Sequence, residues 1–172
     1  MKEIEIQILE VNQKKIISKL KKLGAKKVFD DEIIGIKFYL PKNLEKKISL
    51  LGLRKKGKHT FVVMKGKQQK SKAKIREETE TKIEDYPKMK KIFETLGFKS
   101  SKEAKKHRIS YVLGKTNFEI NIIKEIPPYL EIEAPTMLEL KKAVSLMGYS
   151  IDDAKAWTLR DFKKHYGVKN EN

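Results

Sequence analysis

Three times along this chain a Glu-x-Glu pair lies in a period-two run, and each time a helical pattern ending in glycine follows. Glu3-Ile4-Glu5 leads to Leu23-Gly24-Ala25, Glu78-Thr79-Glu80 to Leu96-Gly97-Phe98, and Glu131-Ile132-Glu133 to Met147-Gly148-Tyr149. Residues i and i+2 of a strand share a face. Each carboxylate pair therefore points one way, while Ile4, Ile6 and Ile132 point the other. The spacing between the three copies shrinks and the surrounding residues barely match, so this is not a solenoid period. It is one strand-and-helix device reused around a single sheet.

The rest of the chain reads in the same terms. Glu3 to Leu9 alternates strictly. Asn12 caps a helix with Ile16, Ile17, Leu20 and Leu23 on one stripe, and Gly24 ends it. A strand is expected over Ile33 to Leu40, then a Lys-rich loop over 41–49. A hairpin is expected over Ser49 to Lys55 and Thr60 to Lys65, turned at Lys56-Gly57-Lys58. Lys74 to Thr81 alternates again. Asp85 and Pro87 open a helix carrying Met89, Ile92, Phe93 and Leu96. A second hairpin spans Lys106 to Leu113 and Thr116 to Ile123, followed by a strand from Tyr129 to Glu133. Thr136 and Glu139 form a capping box for a helix ending near Gly148. A last helical piece covers about Ile151 to Tyr166. No stretch reads as an interdomain linker, so residues 1–172 are expected to form one domain with a C-terminal helical extension from about residue 150.

Converging carboxylates repel one another unless cations neutralise them. Their hard oxygens suit Mg2+ or Mn2+. There is no cysteine, and His59, His107 and His165 are scattered, so no softer metal site or thiol nucleophile is available. Basic residues share the strands and the phase of the glutamates: Arg76 with Glu78 and Glu80, Lys106 with Arg108, Arg54 and Lys65 on the earlier hairpin. Arg forks and carboxylates on one face suit a metal-bound polyphosphate. The plainer alternative is an exterior laced with salt bridges. No Gly-rich loop of the P-loop kind is present.

The 172 residues carry 40 Lys and Arg against 23 Asp and Glu, a net charge of +17. That balance favours polyanionic partners or a solubilising lysine surface, and does not choose between them. No apolar run is long enough for a membrane helix, no leader pattern opens the chain, and the lack of cysteine fits a cytoplasmic protein.

The order of motifs resembles the CYTH superfamily, which includes class IV adenylyl cyclases, thiamine triphosphatases and other triphosphate tunnel metalloenzymes. Glu3-Ile4-Glu5-Ile6-Gln7 is similar to its Glu-x-Glu-x-Lys signature, and Leu51-Gly52-Leu53-Arg54 to its Leu-x-Leu-Arg strand. Lys65-Gly66, Arg76-Glu77-Glu78-Thr79-Glu80, Lys106-His107-Arg108 and Tyr129-Leu130-Glu131-Ile132-Glu133 follow in the family's order, and the resemblance spans about 1–149. It implies an α+β fold: an eight-stranded antiparallel β-barrel, open as a tunnel, with a polar interior and helices packed outside. It also implies that Glu3, Glu5 and position 7 are catalytic, that Arg54, Lys65, Arg76, Lys106 and Arg108 grip phosphates, and that Glu78, Glu80, Glu119, Asn121, Glu131 and Glu133 supply ligands to Mg2+ or Mn2+. Two positions depart from the pattern. Gln7 stands where the signature has Lys, and Asn121 where members usually carry Asp.

The function expected from this resemblance is metal-dependent hydrolysis of a triphosphate compound, such as inorganic triphosphate, ATP or thiamine triphosphate, by a monomer or homodimer. A class IV adenylyl cyclase is the alternative within the enzyme class. A non-catalytic polyphosphate or nucleic-acid binding module is the alternative outside it, motivated by the charge and by Gln7 and Asn121.

Overall fold

A computed structural model describes residues 2–69 and 71–168, with the side chains of residues 2 and 3 outside the description. Eight strands form one closed antiparallel barrel: β1 (Lys2–Ile8), β2 (Lys26–Lys37), β3 (Ile48–Lys56), β4 (His59–Gly66), β5 (Lys74–Ile83), β6 (Ala104–Leu113), β7 (Thr116–Ile123) and β8 (Ile126–Ala134). The order around the barrel is β1-β5-β4-β3-β2-β6-β7-β8, and β8 closes back onto β1. Hairpins build most of the wall, while β1 enters last in space, between β5 and β8.

The barrel is turned inside out relative to a small barrel with an apolar interior. Alternation sends Ile6, Ile8, Phe118, Ile120, Leu130 and Ile132 outward, where they are buried beneath helices α1 (Gln13–Lys22) and α4 (Met137–Leu146). Those helices supply Ile16, Leu20, Leu140 and Val144 to the same cluster. Fully burying each such side chain contributes about 1.5–3 kcal/mol, so the apolar core lies between wall and helices and leaves the interior free for charge. Asn12 and Thr136 accept hydrogen bonds from the Lys15 and Glu139 backbone amides and start the two helices.

Helix α3 (Tyr86–Thr95) covers β2, β3 and β4 through Tyr86, Met89 and Phe93, which meet Ile36, Phe38 and Leu53. Phe38 and Phe93 lie 4.6 Å apart between ring centroids. Ile92 and Leu96, expected on the same apolar stripe, instead face outward and are exposed. Where β2 and β3 approach most closely, a Cβ on Gly52 would stand 2.4 Å from the Ile36 carbonyl oxygen, so only glycine fits there.

Four expectations from the sequence are corrected. β2 starts at Lys26 rather than Ile33, because Lys26 to Glu32 is held by pairing with β6 rather than by an alternating apolar face. β8 starts at Ile126, ahead of the Pro127-Pro128 pair, and the 41–49 loop contains a short helix, α2 (Lys42–Glu45). The last helix is only α5 (Leu159–His165), because Lys155 pairs with Gln7 in an isolated antiparallel bridge and Thr158 caps the helix. Among the described residues, no helix is long and apolar enough to cross a membrane.

Candidate active site

The inward faces of the eight strands enclose a cavity of about 750 Å³. Its wall includes Glu5 and Gln7 of β1, Arg54 of β3, Lys65 of β4, Arg76, Glu78 and Glu80 of β5, Lys106 and Arg108 of β6, Glu119 of β7, and Glu131 and Glu133 of β8. The Glu3 side chain lies outside the described residues; its backbone pairs with Arg76. Asn121 is fully buried behind this surface, next to Arg108. Lys37, Lys56, Lys74, Asn117 and Tyr129 also face the cavity, as do Trp157 and Phe162 from the C-terminal segment. Lys74 and Lys56 share the strand phase of Arg76 and Arg54, so the same alternation could have found them. Nothing local to residues 155–162 marks them as a wall of the site.

Register brings like charges together. Glu5 stands opposite Glu133, and Glu119 opposite Glu131, an arrangement that is destabilising without counter-charge. The chain supplies most of that charge itself. Glu5 accepts from Lys74 at 2.5 Å and from Arg76 at 3.2 Å. Arg108 pairs with Glu119 and, at 3.0 Å, with Glu131. Glu80 accepts from Lys56 at 2.9 Å and from Arg54 at 3.2 Å, while Glu78 pairs with Lys65. The Gln7 and Asn121 amides also donate to Glu131, at 3.1 and 3.3 Å.

Protonation follows from these partners. Burial pushes Glu131 up, but Lys74, Arg108 and Lys106 hold its carboxyl well below the usual carboxylate range. Glu133 makes no ion pair among the described residues. Burial, with Glu119 and Glu5 nearby, pushes it up to about 7. Burial, with Arg108 beside it, pulls the Lys106 ammonium down to about 7, and Lys106 likewise makes no ion pair among the described residues. Among the described residues the cavity thus holds a carboxylate and an amine that both titrate near neutrality, plus a buried Arg76 Nε without a hydrogen-bond partner.

Among the described residues, no three acidic side chains stand together as a ready metal-ligand group. The donor set nevertheless fits a hard divalent cation. Glu119 and Glu5 are oxygen donors that repel Glu133, which is hydrogen-bonded to Asn117 but makes no ion pair among the described residues. Gln7 does not sit at a wide, solvent-screened mouth: it is 1% exposed, and its amide oxygen accepts the Trp157 backbone N–H at 2.9 Å.

Comparison with known proteins agrees with this architecture. A Methanocaldococcus jannaschii protein named as a candidate adenylate cyclase is 33% identical over 138 residues, 77% of each chain. A solved Pyrococcus horikoshii structure covers 93% of this chain and 98% of its own, with a TM-score of 0.78 and 26% identity. A Hippeastrum protein, named as a candidate adenylyl cyclase and described as having a dominant triphosphatase activity, shares the fold at 15% identity and a TM-score of 0.57, over 96% of this chain and 88% of its own. The CYTH domain family model matches residues 1–147, the whole barrel and the helices that clothe it, and this chain belongs to that family.

Proposed function

We propose that this protein hydrolyses a triphosphate compound with the help of Mg2+ or Mn2+ inside the barrel. The observation that carries the reading is the mixed interior: arginines and lysines interleaved with carboxylates around one cavity, where among the described residues Glu133 lacks a cation and Arg76 Nε an acceptor. A phosphate chain offers what Arg76 lacks, and a divalent ion offers what Glu133 lacks.

In this reading Arg54, Lys65, Arg76, Lys106 and Arg108 bind the phosphate oxygens and spread their charge. Glu133, Glu119 and Glu5 would hold the ion, with Glu78, Glu80 and Glu131 next to them. A divalent ion there supplies Lewis-acid stabilisation of phosphoryl charge and a more acidic water. Lys106 takes up a proton as the polyanion enters, because negative charge beside a buried amine favours its charged form. Asn121 orients Arg108 through its amide oxygen. Catalysis is then mainly positioning and charge stabilisation, with no Ser, Cys or His nucleophile.

The name of the M. jannaschii relative favours a second reading, cyclic AMP formation from ATP. One assay separates the two: ATP and inorganic triphosphate are incubated with Mg2+ or Mn2+, and phosphate, pyrophosphate and cyclic AMP are followed separately. Phosphate release from either compound supports the hydrolase. Cyclic AMP with pyrophosphate supports the cyclase, and no product from any combination rejects both.

A further inference from the structure

The tunnel nearly balances its own charge. Among the described residues, eight basic and six acidic side chains line the cavity. The chain as a whole has 40 and 23, so almost all of the net +17 lies outside the barrel interior. It is not spread evenly. From Val11 to Phe29 there are seven lysines and no acidic residue. This stretch is α1 and the chain on either side of it.

Helix phase sorts these lysines. Ile16 and Leu20 are buried against the barrel wall, with Ile17 and Leu23 packed beside them. With 3.6 residues per turn, the opposite face carries Lys14, Lys15, Ser18, Lys21 and Lys22, all exposed. Lys14 with Lys21, and Lys15 with Lys22, form two rows along the helix, each about 10 Å long. Lys19 turns aside: its Nζ stands 3.1 Å from where a Cβ on Gly148 would be, at the end of α4. There the helix dipole favours a cation. Lys27 is held by Asp30 at 2.8 Å. The four lysines of the two rows make no ion pair or side-chain hydrogen bond among the described residues.

Stability does not call for this arrangement. Lys14 and Lys15 sit in the first turn, where the helix dipole disfavours positive charge, and no acidic residue accompanies them. A surface charged only for solubility mixes both signs, as α3 does with its Lys88–Asp85 and Lys90–Glu94 pairs. The outer face of α1 has one sign alone.

We infer that this face binds the phosphate backbone of double-stranded nucleic acid, without reading its sequence and independently of the reaction in the tunnel. A duplex carries one negative charge per ~1.7 Å of its axis, so a lysine face about 10 Å long meets several phosphates at once. Ammonium groups are point charges, and the face presents no Arg, Asn or Gln to fork onto a base edge. It presents no aromatic ring to stack on an unpaired base, as single strands require. Nor does it present an apolar side chain to enter a lipid headgroup layer.

The test uses the full chain and a fluorescent DNA duplex closed by a loop at each end, so that no free phosphate terminus is offered to the tunnel. Fluorescence anisotropy gives the dissociation constant at each salt concentration. Four phosphate contacts should weaken binding about 150-fold between about 50 and 200 mM salt. One variant combines Lys14→Gln, Lys15→Gln, Lys21→Gln and Lys22→Gln, since glutamine keeps the helix propensity of lysine. A control of the same net charge combines Lys42→Gln, Lys46→Gln, Lys91→Gln and Lys99→Gln, all exposed and away from α1. The α1 variant should lose at least about tenfold in affinity at the lowest salt and most of the salt dependence, while the control stays within about threefold of wild type. Equal losses in both variants would mean that net charge alone attracts the duplex, and would overturn the α1 site. No binding by the wild type at the lowest salt overturns it as well.

A second readout needs no variant. Bound duplex should slow chemical acetylation of Lys14, Lys15, Lys21 and Lys22 but not of Lys42, Lys46, Lys91 and Lys99; uniform slowing overturns the site. A single strand of the same length bound as tightly overturns the assignment to duplex. Anionic lipid vesicles bound through the four α1 lysines, with no binding of duplex, overturn nucleic acid as the partner.

Discussion

Arg108 Nε donates a 2.9 Å hydrogen bond to Oδ1 of Asn121, and the same arginine pairs with Glu131 at 3.0 Å. The Asn121 nitrogen donates to that same carboxylate, at 3.3 Å. A neutral amide therefore bridges a cation and an anion that also touch directly, with the amide fully buried and its two partners half-buried. Aspartate, which lacks the donor, would face Glu131 with a second negative charge. Asn121→Asp should lose about 1–3 kcal/mol of stability without metal. Part of that loss should return in Mg2+, which relieves the repulsion. Denaturant unfolding with and without the ion measures both; equal stability of the two proteins in metal-free buffer would reject the bridging role.

Glu133 should make the fold weaker as pH rises. Its folded value, about 7, lies above the 4.5 of an unperturbed glutamate, so the folded state binds the extra proton. Destabilisation is absent below about pH 4.5 and complete above about 7, with an upper bound of about 3 kcal/mol. Glu133→Gln removes the charge, so it should raise the melting temperature at pH 8 and change it little at pH 4.5. Thermal unfolding at the two pH values tests this, and a stabilisation equal at both would mean that charge is not its cause.

Divalent metal should stabilise the wild type by mass action. At ten times its dissociation constant, Mg2+ or Mn2+ contributes about 1.4 kcal/mol, or a rise of about 3–6 °C for a chain of this size. Glu133→Gln should show little of that rise, having lost the carboxylate that lacks a counter-charge. A melting temperature insensitive to millimolar metal in the wild type would count against the carboxylate site.

Lys106 carries the opposite pH signature. Because burial and Arg108 lower it to about 7, the empty site is only partly charged at neutrality. Binding of triphosphate without metal should therefore take up a proton near pH 7, and affinity should fall as pH rises through that value. Calorimetry in two buffers of different ionisation enthalpy counts the protons. Lys106→Met should reduce the uptake, leaving the share that Glu133 takes, while weakening binding about tenfold.

Period two in the sequence already carried most of the barrel and the identity of its inner face. Glu5, Glu131 and Glu133 alternate with apolar neighbours, and Arg76, Glu78 and Arg108 continue the same phase on their strands, since residues i and i+2 share a face. Helix starts at Asn12, Asp85 and Thr136, and helix ends such as Gly24, were legible because capping is a contact between near neighbours in the chain. What tertiary structure alone decided lies between residues far apart. The first half of β2 is a strand because β6 pairs with it. Which cation neutralises which carboxylate depends on register across eight strands, and that leaves Glu133 without one among the described residues. Gln7 reads in sequence as a missing charge. In the fold its amide both donates and accepts, joining Glu131 to Trp157, 150 residues away. That pairing needs the barrel closed first, since only closure brings β1, β8 and the C-terminal segment within hydrogen-bond reach.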